Sequence, residues 1–381
     1  MSNILTKLIP DLYQNLDEVS RELTGFLPSV ARNSSAVRAA LGESVIVPVS
    51  TAMESGNVTP SMTVPEPEDF TMDNVAIQIT KSRNVSFGLT GEEFQGVNNG
   101  VGANYILGEN IKQAVRTLVN EMEKDVAIEA AVGSSRAFGT AGSTPFASDL
   151  TDAAHIKKIL DDNGAPMGGR SLIIDSTAGV NLRSLTQLTN VGDAGTNMTL
   201  RQGELLNLFG FSIKESAGIY NVAQSSIEGV TLSAAEIGAN ELTIKAATSG
   251  SLKAGDVITI AGDDNKYVVA ESNSSLSAGN KIKIAKPGLL HAVADGSSVT
   301  VVAASARNIA FTKNAIQLVT RAPALPAGRD AAIDSYILTD SRSGMAFEVR
   351  VYQGYRKMRM EVACAWGVKV IKPEHVATLL G

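Results

Sequence analysis

The feature that most constrains this chain is a change of pattern at residue 225. Up to Val222, helical and strand-like periodicities alternate along the sequence. Over residues 225–304 they give way to short apolar runs separated by Gly/Asp turns, with almost no helical period. From Arg307-Asn308-Ile309-Ala310-Phe311 the earlier strand-like pattern resumes. This interruption predicts a small β domain set inside another domain. A host that accepts such an insertion must bring the two cut ends together at its surface. Within 225–304 the runs predict strands over 241–246, 256–261, 267–270, 281–285 and 298–302. Gly255-Asp256, Gly262-Asp263-Asp264-Asn265 and Asp295-Gly296 supply the turns between them. Short strands at this spacing predict a small barrel or sandwich.

The rest of the chain reads as a mixed α+β host. Pro10, an apolar stripe of Leu12, Leu16, Val19 and Leu23, and Gly25 predict a helix over 10–24. Val45, Val47 and Val49 alternate as in a strand, and Val75, Ile77 and Ile79, then Val85, Phe87 and Leu89, alternate again. Between them lies a stretch rich in Ser, Thr and Pro (Pro60, Pro65, Pro67). This predicts a long two-stranded excursion with an irregular tip. An isolated hairpin is marginal in water, so another subunit is expected to support it. Residues 103–132 carry the strongest helical signal, with Leu107, Ile111, Val115, Leu118, Met122 and Val126 on one stripe. Glu109/Lys112 and Glu121/Lys124 are expected as ion pairs along it. Such a helix would be about 45 Å long, a structural spine.

Residues 151–222 read as α/β. Thr151 is a candidate cap for a helix carrying Ile156, Ile159 and Leu160, residues 170–175 are a buried strand, and Ser176 opens another helix. Residues 190–196 form a loop, 200–208 a short helix and 211–216 a strand. After the insertion, strands are expected at 315–320, 336–340, 345–353, 356–365 and 366–371, with a turn at 341–344.

Composition narrows the function classes. At 44% apolar and 19% charged residues the chain is globular rather than disordered. Its 381 residues suffice for two or three domains. A net charge of −6 argues against nucleic-acid binding as its main purpose, and 5% aromatic residues argue against base-stacking platforms. The one cysteine, Cys364, excludes an intrachain disulfide and Cys-rich zinc sites and fits a reducing cytoplasm. No run of about 18 apolar residues predicts a membrane-spanning helix, and the N-terminus lacks the pattern of a signal peptide.

Motifs that carry chemistry are missing. His155, His291 and His375 are far apart in sequence and read as surface residues. No His-Glu-x-x-His, Gly-x-Ser-x-Gly or phosphate-loop pattern occurs. Gly100-Val-Gly102 begins like a dinucleotide fingerprint, but Tyr105 stands where its third glycine is needed. Asp263-Asp264-Asn265 lacks the ligand spacing of a calcium loop and reads as a turn. Asp161-Asp162 reads as a helix-end signal. Lys157-Lys158 and Arg356-Lys357-Met358-Arg359 read as solvated or interfacial basic clusters. The sequence thus offers no catalytic, cofactor-binding or metal-ligating residues, and the expected protein is not an enzyme and holds no cofactor.

Several segments carry a resemblance. They are Leu5-Thr-Lys-Leu-Ile-Pro10 with Val19-Ser-Arg-Glu-Leu23 and Gly25-Phe26, Ile79-Thr-Lys-Ser-Arg83, Leu89-Thr-Gly-Glu-Glu93, Thr199-Leu-Arg-Gln-Gly203 with Leu208-Phe-Gly-Phe211, and Trp366-Gly-Val-Lys-Val-Ile-Lys-Pro-Glu374. In this order they resemble the major capsid (coat) proteins of tailed bacteriophages, which have the HK97-like fold. The nearer likeness is to the coat family of short-tailed Salmonella-type phages, whose members carry an inserted domain. The likeness runs along nearly the whole chain.

The resemblance implies an α+β HK97-like capsid fold. Residues 1–41 would be an N-terminal arm and 42–90 an extended loop lapping over the next subunit. Residues 91–149 would form a peripheral domain with the spine helix and strands from 345–365. Residues 150–224 and 305–381 would form an axial domain, with 190–196 as a candidate loop at the capsomer axis, and 225–304 a β-barrel-like insertion domain on the outer surface. It also implies a function and partners. Copies would form the pentamers and hexamers of an icosahedral shell around double-stranded DNA, touched without sequence preference. A portal protein would occupy one vertex and no membrane would be involved. The shell would be a virion capsid assembled in the bacterial host cytoplasm. The extended loop begins near residue 42, which leaves no room for a long cleaved scaffold region, so a separate scaffolding protein is expected. A phage tail or decoration protein and a cytoplasmic α/β enzyme are the alternatives.

Overall fold

The computed structural model describes residues 24–50, 57, 58, 60, 62, 72–98, 103–190, 205, 207–223, 225–326, 330–339 and 345–381. Strands β1 (Ala31–Ala39), β2 (Ser44–Ser50), β3 (Met72–Gln78) and β4 (Lys81–Thr90) lead to helices α1 (Gly91–Asn98) and α2 (Ala103–Val132). Then come β5 (Arg136–Phe138), α3 (Thr151–Asp162), β6 (Arg170–Ile174), α4 (Ser176–Ser184), α5 (Thr186–Thr189), β7 (Ser212–Glu215) and β8 (Tyr220–Val222). Region 225–304 contributes β9 (Ile227–Glu228), β10 (Thr231–Leu232), β11 (Glu241–Ala246), β12 (Ser249–Gly250), β13 (Val257–Ile260), β14 (Lys266–Val268), β15 (Lys281–Lys283) and β16 (Val299–Val301). Strands β17 (Ser305–Thr312), β18 (Ile316–Pro323), β19 (Ala332–Thr339), β20 (Ala346–Gly354), β21 (Lys357–Val370) and β22 (Val376–Leu380) follow.

Helix α2 forms because its apolar residues recur every three or four positions and no proline interrupts it. Leu107, Ile111, Val115, Leu118, Met122 and Val126 are all buried. Each contributes roughly 1.5–3 kcal/mol of apolar burial. The helix stops at Gly133, where an added Cβ would lie 2.5 Å from Val370 Cγ2. Its partners are two sheets. In the six-stranded one, β21 is the long central strand. Along one edge it pairs with β4, and along the other with β20 and then β18. In the nine-stranded sheet the order is β16-β13-β14-β5-β22-β17-β6-β7, with β8 also on β17. One apolar cluster joins α2 to both sheets, through Phe347, Val362 and Trp366 on one side and Ile173, Ile309 and Phe311 on the other. The period of two along β6 and β17 then places Leu172, Ile174 and Ala310 on the opposite face, where α3, α4 and α5 cover them.

Region 225–304 has an apolar core of its own, including Leu232, Leu242, Ile244, Ile258, Ile260 and Ile282. Its two connections run side by side, since Val222 pairs with Ser305 and Tyr220 with Arg307. It is not detached from its surroundings. Strand β14 pairs with β5 through Lys266↔Ala137 and Tyr267↔Arg136, so one sheet runs through both regions.

Several local expectations are corrected. Residues 356–371 do not form two strands: β21 is continuous over 14 residues. It passes from one neighbour to the next without breaking because different strands cover its two halves. Thr151 does not cap α3. Leu150 is the cap residue, with no side-chain bond, and Asp149 Oδ1 instead accepts the Thr151 N–H at 2.9 Å. Glu109 pairs with Lys112 at 3.1 Å, but Glu121 turns away from Lys124 to meet Lys81 at 2.9 Å and Arg83 at 3.3 Å. Strand β1 was not expected at all. It lies parallel to β18, a non-local pairing that no local pattern encodes. The helix expected over 10–24 (save Thr24), most of the 50–70 tip, residues 191–196, the 200–208 helix apart from its end, Gly100-Val-Gly102 and the 341–344 turn lie outside the described residues.

Candidate assembly surfaces

The β2–β3 hairpin is the most prominent surface. Its strands pair from Ser44↔Gln78 to Ser50↔Met72. At its base, Gly42 N–H donates to Ile79 O, Ile79 N–H to Glu43 O, and Thr80 N–H to Trp366 O. Ile77 and Ile79 pack with Ala39, Val319 and Ala365, and Val45 and Val47 cover them. The close approach needs a glycine beneath: a Cβ on Gly367 would stand 2.1 Å from Gln78 O. The outer face has no such cover. Ile46 is 65% exposed and Leu41 67%, and Val58 and Met62 in the tip are fully exposed. The body therefore fixes only the stem, while the ribbon carries unpacked apolar side chains outward.

Beneath the ribbon runs a groove of about 900 Å³. Val49 and Val75 line it with Glu129 of α2, Glu241 and Lys283 of β11 and β15, and Lys369 near the end of β21. Burial holds the Glu129 carboxyl above its usual value, against the opposing effect of the Val370 N–H and Lys369.

Buried ions hold the surrounding parts in register. Glu123 of α2, 3% exposed, accepts the N–H groups of Gly25 and Phe26 on Oε1 at 2.7 and 2.8 Å and that of Leu27 on Oε2 at 2.9 Å. The Ser216 hydroxyl also donates to Oε1, at 2.6 Å. Residues 25–30 are thereby set into the body, with Phe26 stacked on Phe311. Asp125, two residues further along α2, accepts from Trp366 Nε1 and from Lys81, both at 2.8 Å. Arg38 of β1 makes two bonds to Glu348 of β20, at 2.9 and 2.6 Å. Arg183 holds Glu215 in the same forked manner. These residues were missed in the sequence because each looks like an ordinary charge of its helix or strand, with its partner elsewhere along the chain.

The basic cluster at 356–359 lies at the turn joining β20 to β21. Tyr355 is 87% exposed there, and the Arg356 guanidinium stands over its ring. Arg356 has left-handed backbone, φ 52°, and its carbonyl accepts the Gly91 N–H at 3.0 Å. Lys157 and Lys158 lie on α3, half-buried and exposed. The residues with possible chemistry do not converge. His155 stacks on Phe138, His291 is exposed, and burial holds half-buried His375 below its usual value. Cys364 is buried, which pushes its thiol far up. Asp263 binds Asn265 and the Tyr267 hydroxyl, so it organises its own turn. Asp161, at the end of α3, pairs with Arg170. Among the described residues no group of three or more His, Cys, Asp or Glu side chains could hold a metal ion, and no helix is long and apolar enough to cross a membrane.

No family model matches the chain, and no curated protein matches it. Similar solved structures do exist. The cyanophage P-SCSP1u capsid is 14% identical, with 92% of this chain and 86% of that one covered and a TM-score of 0.47. A Mycobacterium phage Che8 chain is 16% identical, over 89% and 84%, at 0.45. A virus-like particle from Pyrococcus furiosus is 12% identical, over 98% of both chains, at 0.42.

Proposed function

We propose that this chain is the major capsid protein of a tailed bacteriophage, with an HK97-like fold nearest to the coat family of short-tailed Salmonella-type phages. Copies of it close, as pentamers and hexamers, into an icosahedral shell around double-stranded DNA. The observation that carries the proposal is the β2–β3 ribbon. It is anchored at its stem, while apolar side chains such as Ile46 face solvent on its outer side. Exposed apolar surface of this kind marks an interaction site. A second subunit lying under or over the ribbon would cover it, and closed symmetry would satisfy every such contact.

The division of labour follows from this reading. The ribbon laps the next subunit, and α2 with β19–β21 is the rigid peripheral part. Strands β6, β7, β8, β17 and β22 with α3–α5 belong to the axial part, and region 225–304 is an inserted domain on the outer surface. A scaffolding protein guides assembly in the bacterial cytoplasm, a portal protein occupies one vertex, and the chain performs no catalysis.

Electron microscopy of the chain coexpressed with its neighbouring genes tests the proposal. Closed shells of uniform diameter are the expected result. Tubes would move the assignment to a tail component, and stable monomers would refute self-assembly. Efficient uniform shells from the chain expressed alone would remove the need for a separate scaffold.

A further inference from the structure

The junction between region 225–304 and the rest of the chain is polar where a sealed joint would be apolar. Among the described residues, six buried side-chain nitrogen or oxygen atoms lack a hydrogen-bond partner. Four belong to this junction: Ser225 Oγ, Ser305 Oγ, and Nε and Nη1 of Arg307. Ser305 and Arg307 are two apart on β17 and so point to the same side of the sheet. Arg307 is only 2% exposed. It stands opposite Leu380 of β22. Leu380 belongs to the small apolar cluster of Ala137, Val257 and Val268, which ties β13 and β14 to β5. The guanidinium therefore sits in the seam between the two regions.

Asp256 approaches this seam from the other region. It immediately precedes β13, is 1% exposed, and accepts the Lys253 N–H on Oδ2 at 2.6 Å. Its charge is the largest favourable influence on Arg307, yet neither Nε nor Nη1 of Arg307 has a hydrogen-bond partner. Burial prevails over that attraction and lowers the Arg307 guanidinium to about 10. A buried cation needs acceptors. Asp256 thus attracts the guanidinium electrostatically, while Nε and Nη1 of Arg307 have no partner. A small anion does not suit this place, because Asp256 would repel it. Water suits it, since one molecule can accept from the guanidinium and donate to the carboxylate, and buried water bridges such groups in many proteins.

We propose that Arg307 and Asp256 form a water-bridged ion pair, a buried hydration site that Ser305 completes and that fastens region 225–304 to the β17–β22 sheet. The pair acts as one unit, so removing either member strands the other.

A density map of the full-length chain, as particles or as soluble subunits, tests this at a resolution that resolves ordered water. The expected result is one or more density peaks within hydrogen-bond distance of Arg307 Nε or Nη1, continuing to Asp256. Thermal unfolding of R307M, D256N and the double variant supplies a second reading. Both single variants are expected to lower Tm, and the double variant to lower it no further than the worse single one. A dry site, a direct ion pair, a bound anion, or additive losses of Tm would overturn the proposal. Should the variants fail to fold, the map alone decides.

Discussion

Region 225–304 and the body around α2 use charge in opposite ways. In region 225–304 the ion pairs Lys245–Asp295, Lys281–Glu241 and Lys283–Glu271 all lie on the outside and the core is apolar, with the buried Asp256 carboxylate confined to the seam with the body. In the body, Glu123, Glu348 and Arg350 are nearly sealed from solvent and tie together segments remote in sequence. Exposed pairs contribute little to stability. A buried charge is costly unless its partners are in place, so it penalises every wrong arrangement. The difference teaches where uniqueness is enforced. Region 225–304 can rely on burial of a local core. The body must specify which distant segments meet, and its buried charges do so.

The sharpest test removes the acceptor on which three backbone N–H groups converge. Glu123→Ala should cost on the order of 4 kcal/mol in denaturant unfolding and release residues 25–30 to hydrogen exchange. A loss below about 1 kcal/mol would show that Phe26 and Leu27 hold this segment without the carboxylate. An interior cut in the other region should behave differently. Ile258→Ala should cost about 3 kcal/mol through its cavity. Exchange should accelerate across β11, β13 and β15 while α2 stays protected; equal acceleration in α2 would mean that the two regions unfold as one. Arg38→Ala leaves Glu348 only the longer ion pair with Arg350 at 3.8 Å, and Arg38 is partly exposed, so a loss of about 2 kcal/mol is expected in the same unfolding assay.

Glu129 gives a smaller effect with a defined sign. Burial raises its carboxyl in the folded chain, so folding favours the protonated form. The stability this contributes is fully present below the unfolded-state value and is lost as pH rises through the folded one. Glu129→Gln should therefore raise Tm at neutral pH relative to the parent, and that gain should vanish on acidification into the carboxylate range. The smallest effect belongs to Lys281→Ala on the exposed face, where Tm should not move measurably. A clear loss there would break the contrast between the two regions.

Much of the architecture was legible because it follows local periodicity. Helix α2 spans the residues that the apolar stripe predicts, and β2 and β3 alternate as their valines and isoleucines require. The parts that were not legible depend on distance. Strand β1 has no clear alternation, and only its pairing with β18 makes it a strand. Glu123 looks like one more solvated charge on a helix until residues 25–27 are brought to it. The break expected near residue 366 falls beside Gly367. The glycine is instead where the ribbon stem crosses closely over an unbroken strand. The outer face of the ribbon was legible only indirectly, through the expectation that a hairpin marginal by itself is supported by another subunit.

The pairing of Arg38 with Glu348 has a consequence for synthesis. The two residues are 310 positions apart. A ribosome adding about 5–20 residues per second makes the second roughly 15 to 60 s after the first. During that interval β1 has neither β18 beside it nor a carboxylate for its arginine. Strand β1 must wait for its arginine's partner until residue 348 has been made. A truncated product would carry an unsatisfied leading segment, so a cell's proteases could discard unfinished subunits and leave finished ones intact.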